Sequence, residues 1–382
     1  MNQAYIIGGL RTPIGKTGGF LKTVLPEQLA AVVLNEVLAK YKLLPNDIDQ
    51  VILGNAVGPG GNIARISVLE AGWPYHIPAL TVDSQCGSGL SAINLAASQI
   101  LSGCADLMIA GGVESTSMAP KRQFNPTDPR FKGENIYYER APFSPPSVGD
   151  PDVGEAAENL ATKLDISRSD MDTLAFESHK KASQAQEYLK DIMIPIKTPD
   201  KIIDSDECIR NNIGLKLLER MKPVLRDGGK ITAGNTCLKH DGAATLLIAS
   251  KVAVQKYNLK PQAIIRATIS SGCDPNLFPL GPVHAIQKLL TKSNLQLQDI
   301  DALEINEAFA VKILACCRQL GFSLNKTNII GGALAYGHPY GASGAIILLH
   351  LLKALERTNG RLGIATIGAV GGMGIATLIE RC

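Results

Sequence analysis

One cysteine of the chain lies in a setting that could make it a nucleophile. Cys86 stands in the segment Asp83-Ser84-Gln85-Cys86-Gly87-Ser88-Gly89, where an apolar strand pattern gives way to a helix pattern. A helix N-terminus presents unpaired backbone N–H groups and the positive end of the dipole, and both stabilise a thiolate. The glycines would let a substrate approach those N–H groups, which could hold an oxyanion. Alternatively, Cys86 is a small buried residue in a packing turn.

Two further polar residues follow the same logic. His338 lies between Gly337 and Pro339, just before a predicted helix, and an imidazole on such a constrained loop can act as a base toward a thiol. Most isolated histidines are instead surface or hydrogen-bonded core residues. Asn306 directly follows a predicted strand, at the edge where open α/β sheets bind ligands. It could orient a water or donate to an oxyanion, or it could cap a helix.

The two halves of the chain carry the same features in the same order. The segment Asp47-Ile48-Asp49 before one strand pattern resembles Asp299-Ile300-Asp301 before another, and Gly87-Ser88-Gly89 resembles Ala342-Ser343-Gly344 at a helix start. The offset is nearly constant at about 250 residues, which is typical of an internal repeat. The repeat places the loops of Cys86 and His338 in equivalent positions, so we expect them to meet across a pseudo-twofold axis.

The elements that must position these loops are short apolar strands alternating with helices. This pattern predicts an α/β fold with a buried, largely parallel sheet in each half. Strands are expected at residues 4–7, 50–53, 80–83, 107–110, 263–267, 302–305, 328–330 and 363–367. Residues 117–153 hold seven prolines and predict an irregular surface segment. Helices are expected at 155–164 and 169–189, with Ser167 as a cap.

The bulk properties limit the possible functions. The 382 residues are 45% hydrophobic with a net charge of +3, which indicates a folded chain and no nucleic-acid partner. The six histidines lack ligand spacing, so no metal site is expected. We see neither a signal peptide nor an apolar stretch long enough to span a membrane, and expect a cytoplasmic protein. The eight cysteines include no Cys-x-x-Cys pair, which favours mostly buried free thiols.

Several motifs in order along the chain give a resemblance to the thiolase family of acetyl-CoA acetyltransferases and 3-ketoacyl-CoA thiolases. The motifs are Arg11-Thr12-Pro13-Ile14-Gly15-Lys16, Cys86-Gly87-Ser88-Gly89, Ala110-Gly111-Gly112-Val113-Glu114-Ser115, Ala233-Gly234-Asn235, Asp241-Gly242-Ala243, Asn306-Glu307-Ala308-Phe309 and residues 332–344. The resemblance implies a thiolase fold: two similar βαβαβαββ halves in a five-layered αβαβα core, plus an inserted loop domain. We assign 1–116 and 246–260 to the N-terminal half, 117–245 to the loop domain covering coenzyme A, and 261–382 to the C-terminal half.

The resemblance also implies roles for individual residues. Cys86 would be acylated by acyl-CoA, His338 would activate it, and Asn306 would hold a water that completes an oxyanion hole with His338. Cys237, Phe309 and Val370 would contact the substrate. Members of this family are usually dimers or tetramers, use coenzyme A thioesters as substrates, and need no metal or redox cofactor. Fatty acid metabolism is the implied setting.

The chain departs from the family pattern at one catalytic position. Alignment on Gly371-Gly372-Met373-Gly374 places Gly368 where the family has a second cysteine, the acid/base toward the substrate α-carbon, and Val370 where it has a glycine. Cys237 falls where the family has a small hydroxyl residue, and could substitute or could be a packing thiol. Asp152-Val153 also replace the usual His-Met near the acyl pocket.

Three hypotheses about function follow. The leading one is a thiolase-type acyltransferase working through a Cys86 thioester, with carbon–carbon chemistry slowed about 10² to 10⁴-fold unless another group replaces the thiol. The second is acyl transfer or hydrolysis without carbon–carbon chemistry. The third is a non-catalytic homologue that binds coenzyme A.

Overall fold

A single mixed sheet of ten strands runs through the molecule. The computed structural model describes residues 2–382. The strands are β1 (Ala4–Arg11), β2 (Gly15–Lys16), β3 (Gln50–Gly54), β4 (Ala79–Val82), β5 (Leu107–Ser115), β6 (Ile196–Lys197), β7 (Ile202–Ile203), β8 (His240–Ala249), β9 (Ala263–Gly272), β10 (Ala302–Ile305), β11 (Leu362–Ala369) and β12 (Met373–Arg381). The sheet order is β10-β11-β12-β9-β1-β8-β5-β3-β4, with β2 beside β8; β6 and β7 pair separately.

Helices cover both faces of this sheet. They are α1 (Pro26–Tyr41), α2 (Ile63–Glu70), α3 (Ser88–Leu101), α4 (Val153–Lys163), α5 (Arg168–Ala185), α6 (Leu215–Glu219), α7 (Lys251–Lys256), α8 (Gly281–Ser293), α9 (Ala310–Leu320), α10 (Ala333–Tyr336) and α11 (Tyr340–Thr358).

The predicted repeat is visible in the strand pairing. The first half has the order β1-β8-β5-β3-β4 and the second β9-β12-β11-β10, and β1 pairs with β9 where they join. Asp49 accepts a hydrogen bond from the N–H of Leu107 at 2.9 Å, and Asp301 accepts the equivalent bond from Leu362 at 3.0 Å. The same side chain therefore fixes the start of the same strand in both halves.

The layers follow from which helices contact which strands. Helices α3 and α11 lie between the two half-sheets, α1 and α2 cover the outer face of the first, and α8 and α9 belong to the outer layer of the second. Every residue of α11 from Gly341 to Leu355 is buried, as expected of a helix that is apolar all round. The predicted five-layered αβαβα core is thus present.

Glycines allow the two central helices to touch backbone to backbone. A Cβ atom on Gly344 of α11 would come within 2.1 Å of the Leu90 nitrogen in α3, and one on Gly89 within 2.5 Å of the Gly341 oxygen. No larger residue fits either position without movement of the backbone. This close approach brings together the loops that precede α3 and α11.

Some strand predictions are wrong. Only the pairs β3–β4, β3–β5 and β10–β11 are parallel, so the sheet is mixed and not largely parallel. The cause is β8 and β12, which sequence reasoning missed and which run antiparallel to both of their neighbours. Residues 328–330 form no strand; Thr327 makes a single parallel bridge to Leu303 at the place that β4 holds in the first half.

The inserted segment begins irregularly, as predicted. Residues 116–152 contain neither a helix nor a strand longer than one bridge, and α4 and α5 follow close to the predicted positions. The Ser167 side chain accepts a 3.0 Å hydrogen bond from the Asp170 N–H and caps α5. The chain rejoins the sheet at His240, so the boundary that we placed at residue 245 falls inside β8.

The cysteines agree only in part with prediction. All eight are free thiols, but only Cys316 and Cys317 are buried, because the others lie in loops, near the ends of elements or at the C-terminus. Within residues 2–382, no helix has the length and apolar character needed to cross a membrane.

Candidate active site

Cys86 occupies a tight turn between β4 and α3. Gln85 adopts a left-handed conformation with φ of 54°, and its N–H donates to Asp83 at 2.8 Å. The Ser88 hydroxyl accepts from the Ser84 N–H at 2.9 Å and donates to the Gln85 carbonyl at 2.5 Å. These bonds fix the turn just before α3, with the Cys86 thiol partly exposed.

The environment of the Cys86 thiol favours its protonated form. Burial of the thiol raises its pKa to about 11. The nearby Lys312 amine opposes this shift, and the Glu114 carboxylate adds to it. Desolvation is the largest influence on this thiol, and the stabilisation of a thiolate by the N-terminus of α3 stays a prediction. Cys86 is protonated at neutral pH and needs a base to become a nucleophile.

His338 is buried directly before α11 and is held by several contacts. Its Nδ1 lies 2.5 Å from the Ser343 hydroxyl and 3.2 Å from the Asn306 side-chain nitrogen, and its backbone N–H donates to His240 at 3.0 Å. The Nε2 atom has no partner within residues 2–382. Burial, followed by the Lys312 charge, lowers the pKa of His338. The imidazole is therefore neutral, and in the tautomer whose Nδ1–H donates to the Ser343 hydroxyl, Nε2 is the atom free to accept a proton.

Tyr340 lies at the meeting point of the two loops. Its ring meets the His338 ring edge-on with centroids 5.0 Å apart. Its pKa is raised by burial and then by the thiols of Cys86 and Cys237. Asn306 contacts His338, and α3, which follows Cys86, approaches α11, which follows His338, at Gly89 and Gly341; Cys86, His338 and Asn306 therefore lie on neighbouring loops.

Two residues predicted to contact substrate lie at the start of α9. Phe309 is buried and forms a backbone bridge with Thr236, and the Cys237 N–H donates to the Ala308 carbonyl at 3.0 Å. Burial and then the nearby Cys86 thiol raise the pKa of Cys237. Because the Cys237 thiol is protonated at rest, it would need a base of its own before it could take a proton from carbon.

The position of the absent cysteine has no space for a side chain. A Cβ on Gly368 in β11 would come within 2.9 Å of both the Phe278 carbonyl oxygen and the Pro282 Cδ. Val370, two residues on, is buried in a small cluster with Phe278, Ala156 and the partly buried Phe143 of the inserted segment. The main chain of Phe278 therefore occupies the space into which a side chain at residue 368 would extend.

Asp152 and Val153, which replace the family's His-Met, lie in two different environments: one in an ion pair and the other at an exposed helix start. Asp152 forms a 2.6 Å ion pair with Arg140, and the Arg140 guanidinium lies over the Phe143 ring at 4.6 Å. Val153 is the first residue of α4 and is exposed. The Arg140–Asp152 ion pair thus positions the guanidinium that covers Phe143, and Phe143 packs against the cluster that contains Val370.

Two charged residues of the site were missed as functional candidates. Glu114 is fully buried and accepts from the N–H groups of Ala56 and Gly341 at 2.9 and 3.0 Å, which ties the first half to the start of α11. Burial raises its pKa to about 7. Lys312 is buried in the first turn of α9. The available signal in both cases was a charge within an apolar run, at residues 110–115 and 310–317.

Comparisons with known proteins identify the relatives of this chain. Residues 4–252 match the thiolase N-terminal domain and residues 259–381 match the thiolase C-terminal domain. The protein named "Putative acetyl-CoA C-acetyltransferase VraB" from Staphylococcus aureus is 40% identical over 383 residues, covering 100% of both chains. The Staphylococcus epidermidis protein of the same name is 40% identical over 385 residues, covering 100% of this chain and 99% of its own.

Solved structures show the same fold over the full length. The Bacillus anthracis acetyl-CoA acetyltransferase superimposes with a TM-score of 0.92 at 34% identity, covering 100% of this chain and 99% of its own. The human mitochondrial 3-ketoacyl-CoA thiolase in complex with CoA gives a TM-score of 0.92 at 35% identity, covering 100% and 98%. The predicted fold class is confirmed.

Proposed function

Because the chain belongs to the thiolase family, we propose that it moves an acyl group between acyl-CoA and coenzyme A or acetyl-CoA through a thioester on Cys86. The observation that carries this proposal is the close approach of the starts of α3 and α11, where a Cβ on Gly89 would lie 2.5 Å from the Gly341 oxygen, with His338 Nε2 unpartnered within residues 2–382. The full-length similarity to proteins named acetyl-CoA C-acetyltransferase and to a thiolase in complex with CoA supports the substrate class.

In the first half-reaction, Cys86 takes up the acyl group. His338 Nε2 accepts the thiol proton while sulfur attacks the thioester carbonyl, because a thiol with a pKa of about 11 is not ionised beforehand. Asn306, next to His338, holds a water that with the imidazole stabilises the oxyanion. The coenzyme A thiolate then leaves and takes the proton from His338.

In the second half-reaction the acyl group leaves Cys86. The acceptor is either the thiol of coenzyme A or the α-carbon of acetyl-CoA, and Cys237, Phe309 and Val370 line the substrate path. No metal or redox cofactor takes part in this proposal. A homodimer or homotetramer in the cytoplasm, acting in fatty acid metabolism, remains a prediction from the resemblance.

A second candidate function is acyl transfer or hydrolysis without carbon–carbon chemistry. It is favoured by Gly368, which brings no thiol and leaves no space for one. This candidate shares the Cys86 thioester and differs only in the fate of the substrate α-carbon.

Thiolysis of acetoacetyl-CoA by coenzyme A separates the two candidates. We expect two acetyl-CoA molecules to form, and expect Cys86→Ala to abolish the reaction and His338→Gln to slow it by about 10² to 10⁴-fold. Cys104→Ala, at an exposed cysteine distant in the fold from the N-terminus of α3, is the control. Acylation of Cys86 without thiolysis supports the second candidate, and no acylation leaves only a CoA-binding homologue.

A further inference from the structure

The site contains a cation that the reaction described above does not use. Lys312 is the third residue of α9 and is 1% exposed, and its Nζ has no hydrogen-bond partner within residues 2–382. Burying an ammonium group without a partner is strongly unfavourable, so a lysine in this environment loses its proton readily. Such a buried amine is available for proton transfer at ordinary pH.

The surroundings of Lys312 are the catalytic groups themselves. The titratable groups that influence its amine are the thiols of Cys316 on its own helix, Cys86 before α3 and Cys237 before β8, and Lys312 in turn influences His338. No carboxylate is among them. Burial lowers the pKa of Lys312, and only the thiols oppose this shift.

The helix of Lys312 also contacts the segment that borders the position of the missing thiol. One turn further along α9, the Cys316 thiol donates to the Pro279 carbonyl at 3.5 Å. Phe278 directly precedes Pro279, and its carbonyl oxygen is the atom that a Cβ on Gly368 would approach to 2.9 Å. The helix that carries Lys312 therefore packs, at Cys316, against the segment that borders Gly368.

We propose that Lys312 is the acid/base toward the substrate α-carbon and replaces the thiol that Gly368 lacks. This inference rests on the proposed function, because it requires an acyl group on Cys86. The proposal explains why the site contains a buried amine without a partner, and it names the residue that does the work of the absent acid/base.

The proton balance is simple in either direction. In synthesis, neutral Nζ removes a proton from the α-carbon of acetyl-CoA, and the resulting carbanion attacks the Cys86 thioester. The carbon–carbon bond forms, the carbon–sulfur bond breaks, and the Cys86 thiolate recovers the proton from the Lys312 ammonium. In thiolysis, the Cys86 thiol gives its proton to neutral Nζ and its sulfur attacks the β-keto carbonyl; the carbon–sulfur bond forms, the carbon–carbon bond breaks, and the Lys312 ammonium protonates the α-carbon.

Exchange of the methyl protons of acetyl-CoA in deuterium oxide measures this step directly. We expect the wild type to exchange them, and expect Lys312→Met to slow exchange and thiolysis by about 10² to 10⁴-fold while Cys86 is still acylated. Lys312→Arg should behave like Lys312→Met, since arginine keeps the charge but cannot accept a proton. Lys312→Gln serves as a second neutral variant if the methionine variant does not fold.

Two control variants show whether the effect is particular to Lys312. Lys181→Met removes a partly buried amine that donates to the Thr327 carbonyl, and should leave exchange unchanged. Cys237→Ser tests the competing candidate; because residue 237 lines the proposed substrate path, exchange should fall, but by far less than in Lys312→Met. The wild-type exchange rate should rise with pH as Lys312 loses its proton, and Lys312→Met should lack this rise.

Several results would overturn the proposal. Retained exchange in Lys312→Met, or full exchange in Lys312→Arg, would exclude Lys312 as the base. Loss of Cys86 acylation in Lys312→Met would show that the lysine acts on the thiol and not on the α-carbon. Acylation without exchange in the wild type would refute the inference and leave the proposed function intact, whereas no acylation in the wild type would refute both.

Discussion

Cys86 and His338 are both held neutral by burial, which raises the pKa of the thiol to about 11 and lowers that of the imidazole. Neither residue begins the reaction as an ion, so the proton must move as the sulfur attacks. Glu304 and Lys312 show the same effect, since each is buried with a polar atom unpartnered within residues 2–382. At the residue scale, desolvation sets the protonation of this site.

Glu304 gives a pH-dependent test of this effect. Burial, followed by the charge of Glu307, raises its pKa well above 4.5, so wild-type stability falls as pH rises through and beyond 4.5 because the unfolded chain ionises more easily. We expect Glu304→Gln to raise the free energy of unfolding near neutral pH by on the order of 1–3 kcal/mol. Urea denaturation should show no gain below pH 4.5. An equal gain at both pH values would contradict the argument.

Restoring the second cysteine should damage the fold. Gly368→Cys places a Cβ within 2.9 Å of a main-chain oxygen, and overpacking of this kind costs about 1–3 kcal/mol. Gly214→Cys is the matched control, because a Cβ there has no other atom within 4 Å. Thermal denaturation compares the two variants. Unchanged stability of Gly368→Cys would show that the Phe278 main chain moves aside easily.

At the scale of elements, one buried ion pair fastens the inserted segment to the sheet. Arg11 at the end of β1 and Asp206 form two hydrogen bonds of 2.8 Å, and both side chains are nearly inaccessible. Asp206 also accepts from the Ile14 N–H at 2.8 Å. The pair orients the segment that lies beside β1.

Removing one partner of this pair leaves a buried charge without compensation. We expect Asp206→Ala to lower the free energy of unfolding by about 3–5 kcal/mol. Asp128→Ala, which removes a more exposed partner of Arg130, is the control and should have no measurable effect. A small effect of Asp206→Ala would mean that water reaches Arg11.

The elements that were predicted correctly are those for which the repeat supplies the same sequence signal in both halves. The strands beginning near Gln50 and Ala302 follow equivalent aspartate segments, and α3 and α11 follow equivalent glycine-rich segments. β8 was missed because its first residues were assigned to the inserted segment. Lys312 could not be recognised as part of the site, because sequence alone does not show that no partner reaches its amine.

At the scale of the whole molecule, the two ends of the sheet differ. In the second half only the single bridge of Thr327 lies beside β10, whereas the first half has the full strand β4 in the equivalent place, with no further strand beside it within residues 2–382. Leu80 on β4 is 41% exposed. An open edge with an exposed apolar side chain can pair with another chain.

This edge suggests where the predicted homo-oligomer forms. We expect the wild type to sediment as a dimer or tetramer and Leu80→Lys to shift it toward the monomer, because a lysine on an edge strand opposes pairing. Leu324→Lys, at a similarly exposed leucine away from this edge, should have no effect. A wild-type monomer, or an oligomer unaffected by Leu80→Lys, would contradict the prediction.

The acyl group on Cys86 is the claim on which the whole account depends. The protein is mixed with acetyl-CoA, quenched with acid and digested, and each cysteine peptide is analysed by mass spectrometry. We predict one acetyl group on the Cys86 peptide, its removal when coenzyme A is added before quenching, and no adduct in Cys86→Ala. An acetyl group on a different cysteine, or none at all, would contradict the account.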